Sequence, residues 1–145
     1  MTVSAILKEK GGDVIAIGSG ETISAAAAML AERRIGAVLV REGEGPIDGI
    51  LSERDIVRAL AEEGPAVLDK PVRHIMTRNV KRCAPGDTVE HVMGLMTEGR
   101  FRHLPVCDGD ALVGFISIGD VVRRRIGEVE KESREMRDYV RLAAG

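Results

Sequence analysis

The sequence predicts an α+β fold made of two β-α-β-β-α repeats that pack sheet to sheet with pseudo-twofold symmetry, followed by an extended C-terminal helix. The first observation behind this prediction is a repeated phrase, Gly-apolar-apolar-Ser-x-x-Asp, which begins at Gly49 and again at Gly114. The second is that two patterns of apolar residues alternate along each half: short continuous runs typical of strands, and spacing by three or four residues typical of helices. The third is size, because one repeat alone would bury too little apolar surface, whereas two repeats sharing a core would bury enough.

Composition and charge limit the class of protein. The 145 residues are 44% hydrophobic and 30% charged, which is typical of a globular chain. No apolar run approaches the ~20 residues that a membrane-spanning helix needs, and the first ten residues lack the order of a signal peptide. We therefore expect a cytoplasmic protein with no membrane partner. A net charge of −2, with two Phe, one Tyr and no Trp, argues against a nucleic-acid partner.

The repeat extends over both halves of the chain. Gly20-Glu-Thr-Ile aligns with Gly86-Asp-Thr-Val at an offset of 66 residues, and Ser52-x-x-Asp55 aligns with Ser117-x-x-Asp120 at an offset of 65. The segments before them also match, since Ala5-Ile-Leu resembles His74-Ile-Met. The predicted organisation is a first repeat, a linker with two prolines, a second repeat and a C-terminal helical extension, at residues 1–63, 64–76, 77–130 and 131–145.

Each half is expected to begin with a strand, a turn and a helix. The strand is Val14–Ile17 in the first half and the weaker Asn79–Cys83 in the second. After the turn, Thr22 and Thr88 are suited to cap a helix. The helix in the second half has one apolar stripe at positions i, i+3, i+4 and i+7, and the first-half helix has a thinner one. These stripes are Val89, Val92, Met93 and Met96, and Ile23, Ala27 and Leu30.

Two strands and a closing helix complete each half. The strands are Ala37–Val40 and Ile47–Leu51 in the first half, and Leu104–Cys107 and Ala111–Ser117 in the second. The apolar spacing predicts that each closing helix buries three residues against its sheet. These are Ile56, Val57 and Leu60 in the first half, and Val121, Val122 and Ile126 in the second.

The last helix is expected to extend past the end of its counterpart. Its apolar residues alternate in steps of three and four, which is the spacing of a coiled-coil seam about two heptads long. The seam is Ile126, Val129, Ser133, Met136 and Val140. Two interpretations remain open, a homodimer formed through this helix and a solvated tail that docks on its own domain.

The Ser-x-x-Asp motif has a structural and a functional interpretation. Ser three residues before an acid at the start of a helix is a capping box. However, the acid is Asp in both copies rather than the preferred Glu or Gln, and both copies follow a strand expected to be buried. A helix N-terminus with a hydroxyl suits a phosphate, and a carboxylate can accept hydrogen bonds from two vicinal ribose hydroxyls. Capping and nucleotide binding are compatible with each other.

The repeated phrase, together with Gly99-Arg-Phe-Arg-His-Leu-Pro-Val106 and Ile75-Met-Thr77, resembles a tandem pair of CBS domains over residues 4–130. The resemblance is to the short, stand-alone bacterial type. It implies a pseudo-symmetric disc that often dimerises and binds adenosine-containing ligands in two clefts between the repeats. It further implies that Asp55 and Asp120 hold ribose hydroxyls. Ser52 and Ser117 would lie beside the ribose or phosphate.

The resemblance also implies adenine and phosphate contacts. The adenine-lining positions would be Val14 to Ala16 in one copy and Thr77 to Val80 in the other. The basic residues reaching phosphate would be Arg102 and His103, although His103 at a strand start also has a purely structural interpretation. The first-repeat counterparts are Gly36 and Ala37, which carry no charge. We therefore expect two unequal clefts, of which one accepts phosphates better.

Other kinds of site are not supported. Cys83 and Cys107 form no C-x-x-C pair and are expected to be reduced, packed thiols. The three histidines and two cysteines lack metal-ligand spacing, so no metal is expected. Gly18-Ser-Gly20 is interpreted as a turn because the third glycine of a dinucleotide loop is absent. No nucleophile with its base is recognisable, and we do not expect an enzyme.

Three functional hypotheses follow. The first is a regulatory module that binds AMP, ADP or ATP as an energy sensor and needs no cofactor. The second keeps the fold and replaces the ligand by NADH, which would make the protein a redox sensor. The third is a ligand-free dimerisation and docking module whose Ser-x-x-Asp motifs act only as helix caps. A regulatory module of this kind would report to a protein partner that the sequence does not identify.

Overall fold

Helices and strands alternate along the chain in the computed structural model, which describes residues 1–144. The predicted α+β class with two repeats and a long C-terminal helix is confirmed, with five α-helices and two small sheets in this described part. In chain order the elements are α1 (Val3–Lys10), β1 (Ala16–Ile17), α2 (Ile23–Arg33), β2 (Ala37–Val40), β3 (Gly49–Ser52), α3 (Glu53–Glu63), two 3-10 helices (Pro65–Asp69 and Val72–His74), α4 (Val89–Gly99), β4 (His103–Asp108), β5 (Ala111–Ser117) and α5 (Ile118–Ala144).

These elements form two compact units that do not follow chain order. Residues 14–81 make one unit, which we call the central unit. Residues 1–13 and 82–144 together make the other, which we call the terminal unit. The helix α1 is therefore in the same unit as the second Ser-x-x-Asp motif, although it precedes the first motif in sequence.

The central unit is built on a three-stranded sheet of order β1-β2-β3. Strand β1 is parallel to β2, and β2 is antiparallel to β3 with Ala37 opposite Ser52. All four residues of β2 are buried, as expected for a central strand covered on both faces. The segment 64–76, expected as a linker, carries both 3-10 helices, and its Val67 and Val72 are completely buried in the core of this unit.

The terminal unit contains the β4–β5 hairpin, with His103 opposite Ser117, and the helices α1, α4 and α5. The amide of Val3 donates to the carbonyl of Asp87 at 2.9 Å, which fastens α1 beside the start of α4. The predicted strand Asn79–Cys83 is wrong, because only Cys83 forms an isolated bridge, to Val106. Its polar residues, Asn79, Lys81 and Arg82, are exposed, and the adjacent Lys81 and Arg82 interrupt the alternation that an apolar strand face needs.

The predicted helix caps are confirmed. The side chain of Thr22 accepts from the amide of Ala25 at 3.0 Å, and that of Thr88 accepts from the amide of His91 at 3.0 Å. Each bond satisfies one of the amide groups that have no partner within the first turn of a helix.

Three residues expected to be buried are exposed. Val57 is 65% exposed, Ile126 52% and Val122 37%, so these predictions were wrong. Helix α3 buries Ile56 and Ala59, and α5 buries only Val121, so each helix covers its unit with a narrower stripe than the sequence spacing suggested.

Two further expectations concern cysteines and membranes. Cys83 and Cys107 are both buried and unpaired, which confirms the expectation of packed thiols. No helix within residues 1–144 combines the length and the apolar character needed to cross a membrane.

Candidate functional site

The first Ser-x-x-Asp motif lies where β3 ends and α3 begins, in the central unit. The amide of Asp55 donates to the Ser52 hydroxyl at 3.2 Å, and the amide of Ser52 donates to Oδ2 of Asp55 at 2.9 Å. These two bonds make a complete capping box. The half-buried Asp55 has no ion-pair partner in the part of the chain that the structure describes.

The second motif repeats this geometry where β5 ends and α5 begins, in the terminal unit. The amide of Asp120 donates to the Ser117 hydroxyl at 3.3 Å, and the amide of Ser117 donates to Oδ2 of Asp120 at 2.9 Å. Two cations are added here. Lys10 contacts Oδ2 of Asp120 at 2.7 Å, and Arg123 contacts Oδ1 at 2.7 Å. Lys10 also donates to the carbonyl of Phe115 at 2.8 Å.

The Lys10 contact changes the acidity of Asp120. Burial would raise the pKa of this carboxyl, but hydrogen bonds from the Lys10 ammonium and from Ser117, with the nearby charge of Lys10, outweigh it and hold the pKa below its usual value. Asp120 is thus ionised at neutral pH, and the positive charges of Lys10 and Arg123 already balance its negative charge. Asp55 has the same backbone contacts without these cations.

His103 lies beside this second motif. It begins β4 opposite Ser117 and stacks on Phe115, with ring centroids 5.7 Å apart and an angle of 25° between the planes. Burial, followed by the positive charge of Lys10, lowers the pKa of His103, whereas Asp120 acts in the opposite direction. The imidazole is therefore neutral at pH 7. It offers this site a flat, stacked ring rather than a positive charge.

The two units are equivalent at the residues preceding His103 and its counterpart. The amide of Ile118 donates to the carbonyl of Arg102 at 2.7 Å, and the amide of Glu53 donates to the carbonyl of Gly36 at 3.0 Å. The backbone therefore fixes both positions in the same way. The exposed Arg102 side chain has no counterpart at Gly36, in agreement with the alignment of the sequence repeat.

The glycine that opens each motif has a packing reason. A Cβ on Gly49 would lie 2.7 Å from the carbonyl oxygen of Thr77 and 3.0 Å from Sδ of Met76. A Cβ on Gly114 would overlap the side chain of Leu7. Met76 and Leu7 are equivalent in the repeat alignment. In each unit, then, the segment that precedes the other repeat in sequence packs on this glycine.

The predicted adenine-lining residues all lie in the central unit but not at one place. Thr77 exchanges two backbone hydrogen bonds with Ile50, of 2.8 and 2.9 Å, on the outer edge of β3 and two residues before Ser52. Ala16 lies in β1, at the opposite edge of the same sheet. Within this unit the structure therefore places Thr77 near the first motif and Ala16 away from it. Val14 and Val80 are partly buried and lie outside the strands.

Lys10 and Arg123 are the site residues that the sequence did not reveal. Lys10 is separated from Asp120 by 110 residues, so no local pattern connects them. Arg123 follows Asp120 by one helical turn, a spacing at which an acid and a base can pair on a helix surface, and this was a usable signal. Ile50 and Phe115 occupy equivalent strand positions. The carbonyl of Ile50 accepts from the backbone amide of Thr77, whereas the carbonyl of Phe115 accepts from the Lys10 ammonium.

A separate cavity of about 340 Å³ lies between the N-terminus, the start of α4 and the middle of α5. It contains none of the predicted site residues. Four carboxylates line it, those of Glu90, Glu128, Glu132 and Glu135. They outnumber the three positive groups, the Met1 ammonium, Arg125 and Lys131, so the cavity does not suit a phosphate. Within residues 1–144 there is also no cluster of three or more His, Cys, Asp or Glu side chains arranged to hold a metal ion.

Comparison with known proteins identifies the repeat. The CBS domain family matches residues 3–62 and again residues 72–127. A mitochondrial CBS-domain-containing protein of Arabidopsis thaliana is 33% identical over 147 residues, which covers 96% of this chain and 71% of that protein. The crystal structure of a CBS-domain protein from Agrobacterium tumefaciens is 45% identical with a TM-score of 0.84, and the match covers 86% of this chain and 99% of that chain.

Two similar structures contain ligands. One is a CBS domain pair in complex with 5′-methylthioadenosine and S-adenosylmethionine; it is 29% identical with a TM-score of 0.77, covering 88% of this chain and 98% of that chain. The other is a CBS domain protein from Pyrobaculum aerophilum complexed with AMP; it is 28% identical with a TM-score of 0.72, covering 83% of this chain and 89% of that chain.

Proposed function

The chain belongs to the CBS-domain family, and we propose that it is a regulatory module that binds adenosine-containing ligands through its two Ser-x-x-Asp motifs. The observation that carries the proposal is the repeated arrangement of an ionisable Asp behind a helix-capping Ser at the end of a strand. Two relatives of the same fold hold ligands with an adenosine group, which supports this chemistry. The module acts by binding rather than by catalysis.

The Asp55 motif is ready to accept a ribose as it stands. A carboxylate has about four acceptor positions, and the Ser52 amide occupies one of them on Oδ2. Both positions on Oδ1 and one on Oδ2 are therefore available for the two hydroxyls of a ribose. Since Asp55 forms no ion pair in the described residues, this site favours adenosine groups that carry little negative charge beside the ribose.

The Asp120 motif must exchange contacts before it binds a ribose. The Ser117 amide and Lys10 occupy both acceptor positions on Oδ2, and Arg123 occupies one on Oδ1. A vicinal diol would have to displace Lys10 or Arg123, whose side chains are 38% and 74% exposed and have room to move. The displaced cation is then available to a phosphate, so this site favours AMP, ADP or ATP, and Arg102 adds to its positive charge. Sensing of the adenylate pool is assigned to this site.

A thermal melt of the purified protein tests the proposal with AMP, ADP, ATP, NADH, S-adenosylmethionine and adenosine in turn. A ligand at about 100 times its Kd adds about 2.7 kcal/mol to the free energy of unfolding, which shifts Tm by several degrees. Competition between AMP and NADH distinguishes the energy-sensor and redox-sensor variants of the proposal. No shift with any ligand, in protein shown to be free of bound nucleotide, would overturn it.

Two variants separate the motifs. Asp55→Asn and Asp120→Asn each keep a carbonyl oxygen for the serine amide, so the helix cap survives while the charge and one acceptor are lost. Asp55→Asn is expected to abolish the shift caused by adenosine, and Asp120→Asn to weaken the shift caused by AMP. Asp108→Asn, at the exposed end of β4, removes the same charge away from both motifs and is the matched control.

A ligand-free docking module is the second candidate, and one observation favours it. Both motifs form complete reciprocal capping boxes without a ligand, so capping alone explains why Ser and Asp occur together. This candidate predicts that every ligand leaves Tm unchanged and that the Asn variants differ from the wild type only in stability.

A further inference from the structure

Helix α5 is longer than the fold requires. It runs from Ile118 to Ala144, 27 residues, whereas the second match to the family ends at residue 127. Every residue from 129 to 144 is exposed. A helix segment of this length whose side chains are all exposed is marginal in water, because helices are stabilised mainly by packing of an apolar face. We infer that α5 pairs with α5 of a second copy of this chain, in parallel and in register, as a short coiled coil.

The exposed apolar residues of α5 form one stripe. From Val122 they alternate in steps of four and three, the period of a coiled-coil seam. The exposed fractions are 37% for Val122, 52% for Ile126, 48% for Val129, 62% for Met136 and 56% for Val140. Ser133 occupies the remaining position of the stripe.

The stripe lies on the side of α5 that its own unit leaves uncovered. From Val121 onward, the buried or partly buried residues of the helix follow a different line along its surface; they are Val121, Arg124, Arg125 and Glu128. Covering the stripe would remove from water five large apolar side chains in each copy, which is the main driving force of such a pairing.

Charge complementarity identifies the partner as a second copy in parallel. With Ile126, Ser133 and Val140 at position a, Arg125 and Glu132 fall at position g, and Glu130 and Arg137 at position e. In a parallel pair each g residue faces the e residue five positions later in the other copy. Arg125 then meets Glu130, and Glu132 meets Arg137. Twofold symmetry repeats both contacts, which gives four ion pairs of opposite charge.

An antiparallel pair with the same seam would be repulsive. In an antiparallel pair, e residues face e residues and g residues face g residues. If the two stripes overlap completely, their common centre is residue 131, and the numbers of facing residues sum to about 262. Glu130 would face Glu130, Glu132 would face Glu132, and Arg123 would face Arg137. Like charges in such positions destabilise a pair, so the sequence of α5 selects the parallel arrangement.

The seam also favours two strands. Ile126 and Val140 are β-branched residues at position a, a choice typical of two-stranded coils. Ser133 between them is a polar a residue, which fixes the register at a cost in affinity. The pairing is independent of the adenosine proposal, because it involves no residue of either Ser-x-x-Asp motif.

Sedimentation velocity over a range of protein concentrations tests the inference on the whole chain. The wild type is expected to form a dimer with rising concentration. Glu132→Lys and Arg137→Glu each replace two attractive contacts by two repulsive ones and should each weaken the dimer about tenfold. An equimolar mixture of the two variants restores opposite charges at both positions and should dimerise like the wild type. Arg134→Glu changes the same charge away from the seam and should have no effect.

Unfolding of α5 would not explain these results. Each substitution places the new side chain one turn from residues of the opposite charge in the same helix, and such contacts stabilise a helix. The Glu132→Lys change lies one turn from Glu128 and Glu135. The Arg137→Glu change lies one turn from Arg134 and Arg141. Circular dichroism confirms that each variant is folded. A wild type that stays monomeric at every concentration, or a mixture no better than its components, would overturn the inference.

A cross-link tests the direction of pairing. Ala143→Cys places a thiol at position d near the end of α5, where a parallel pair brings the two copies of residue 143 together. In the antiparallel pair residue 143 would face residue 119, about 36 Å from the other thiol. Efficient formation of a disulfide-linked dimer on mild oxidation supports the parallel arrangement. A dimer that forms by sedimentation but does not cross-link would refute it.

Discussion

Replacing Lys10 by Met would test the electrostatic design of the Asp120 motif. The change removes the ammonium that lies 2.7 Å from Asp120 and 2.8 Å from the carbonyl of Phe115, and keeps an unbranched side chain of similar length. Asp120 would retain Arg123, its two bonds with Ser117 and its place at the start of α5. The variant therefore isolates the contribution of one cation.

The expected loss of stability follows from the exposure of the pair. The side chain of Asp120 is only 10% exposed, but that of Lys10 is 38% exposed, so solvent weakens the attraction. Exposed ion pairs contribute about 0.2–1 kcal/mol, and a charge-assisted bond at short distance lies toward the upper end of that range. We expect Lys10→Met to lower the free energy of unfolding by about 1 kcal/mol at pH 7, or about 3 °C in Tm.

The pH dependence distinguishes the ion pair with Asp120 from the hydrogen bond that Lys10 donates to the Phe115 carbonyl. The folded pKa of Asp120 lies below its unfolded value of about 3.9, so its contribution to stability is complete above that pH. The contribution is lost as the pH falls through the folded pKa. The difference between wild type and Lys10→Met should thus stay constant from pH 7 to about pH 5 and shrink below about pH 4.

Urea unfolding followed by circular dichroism measures this difference at each pH at which the protein folds. Lys8→Met is the matched control, because Lys8 is an exposed lysine on the same helix without an ion pair in the described residues. A difference that persists unchanged at the lowest pH would show that Lys10 stabilises through its hydrogen bond to the Phe115 carbonyl and not through Asp120. Equal stability of both variants at pH 7 would refute the ion-pair reasoning.

Three further predictions concern packing, capping and reactivity. Gly49→Ala should destabilise by about 1–3 kcal/mol in urea unfolding, because the new Cβ meets the Thr77 carbonyl at 2.7 Å; a neutral effect would contradict the packing role of this glycine. Thr88→Ala should cost about 1 kcal/mol in the same assay, since the cap on the His91 amide is lost, whereas Thr88→Ser should cost little. Burial raises the pKa of Cys83 to about 12, so this thiol should react with a thiol reagent at pH 8 only in denaturant; fast labelling of the folded protein would refute that.

Much of the fold was predictable because local signals agreed with packing. The bounds of β2 and β5 match the sequence prediction, since each is an apolar run closed by turn residues. The threonine caps were predictable because each depends on a bond between residues only three apart in sequence. The exposure of Val57 and Ile126 was not predictable, because spacing identifies the apolar positions of a helix but not how much of the helix a neighbour covers. The pairing of Lys10 with Asp120 depends on tertiary structure alone.

The two motifs together indicate where a repeated fold acquires unequal function. Their backbone bonds agree closely, 2.9 and 3.2 Å at the first motif and 2.9 and 3.3 Å at the second, so both copies build the same frame. The differences lie in side chains outside the repeated phrase, of which Lys10 and Arg102 have no charged counterpart beside Asp55. If the module binds adenosine groups as proposed, selectivity between charged and uncharged ligands resides in these added cations. Exchanging them between units should then exchange ligand preference, while substituting the motifs themselves should only abolish binding.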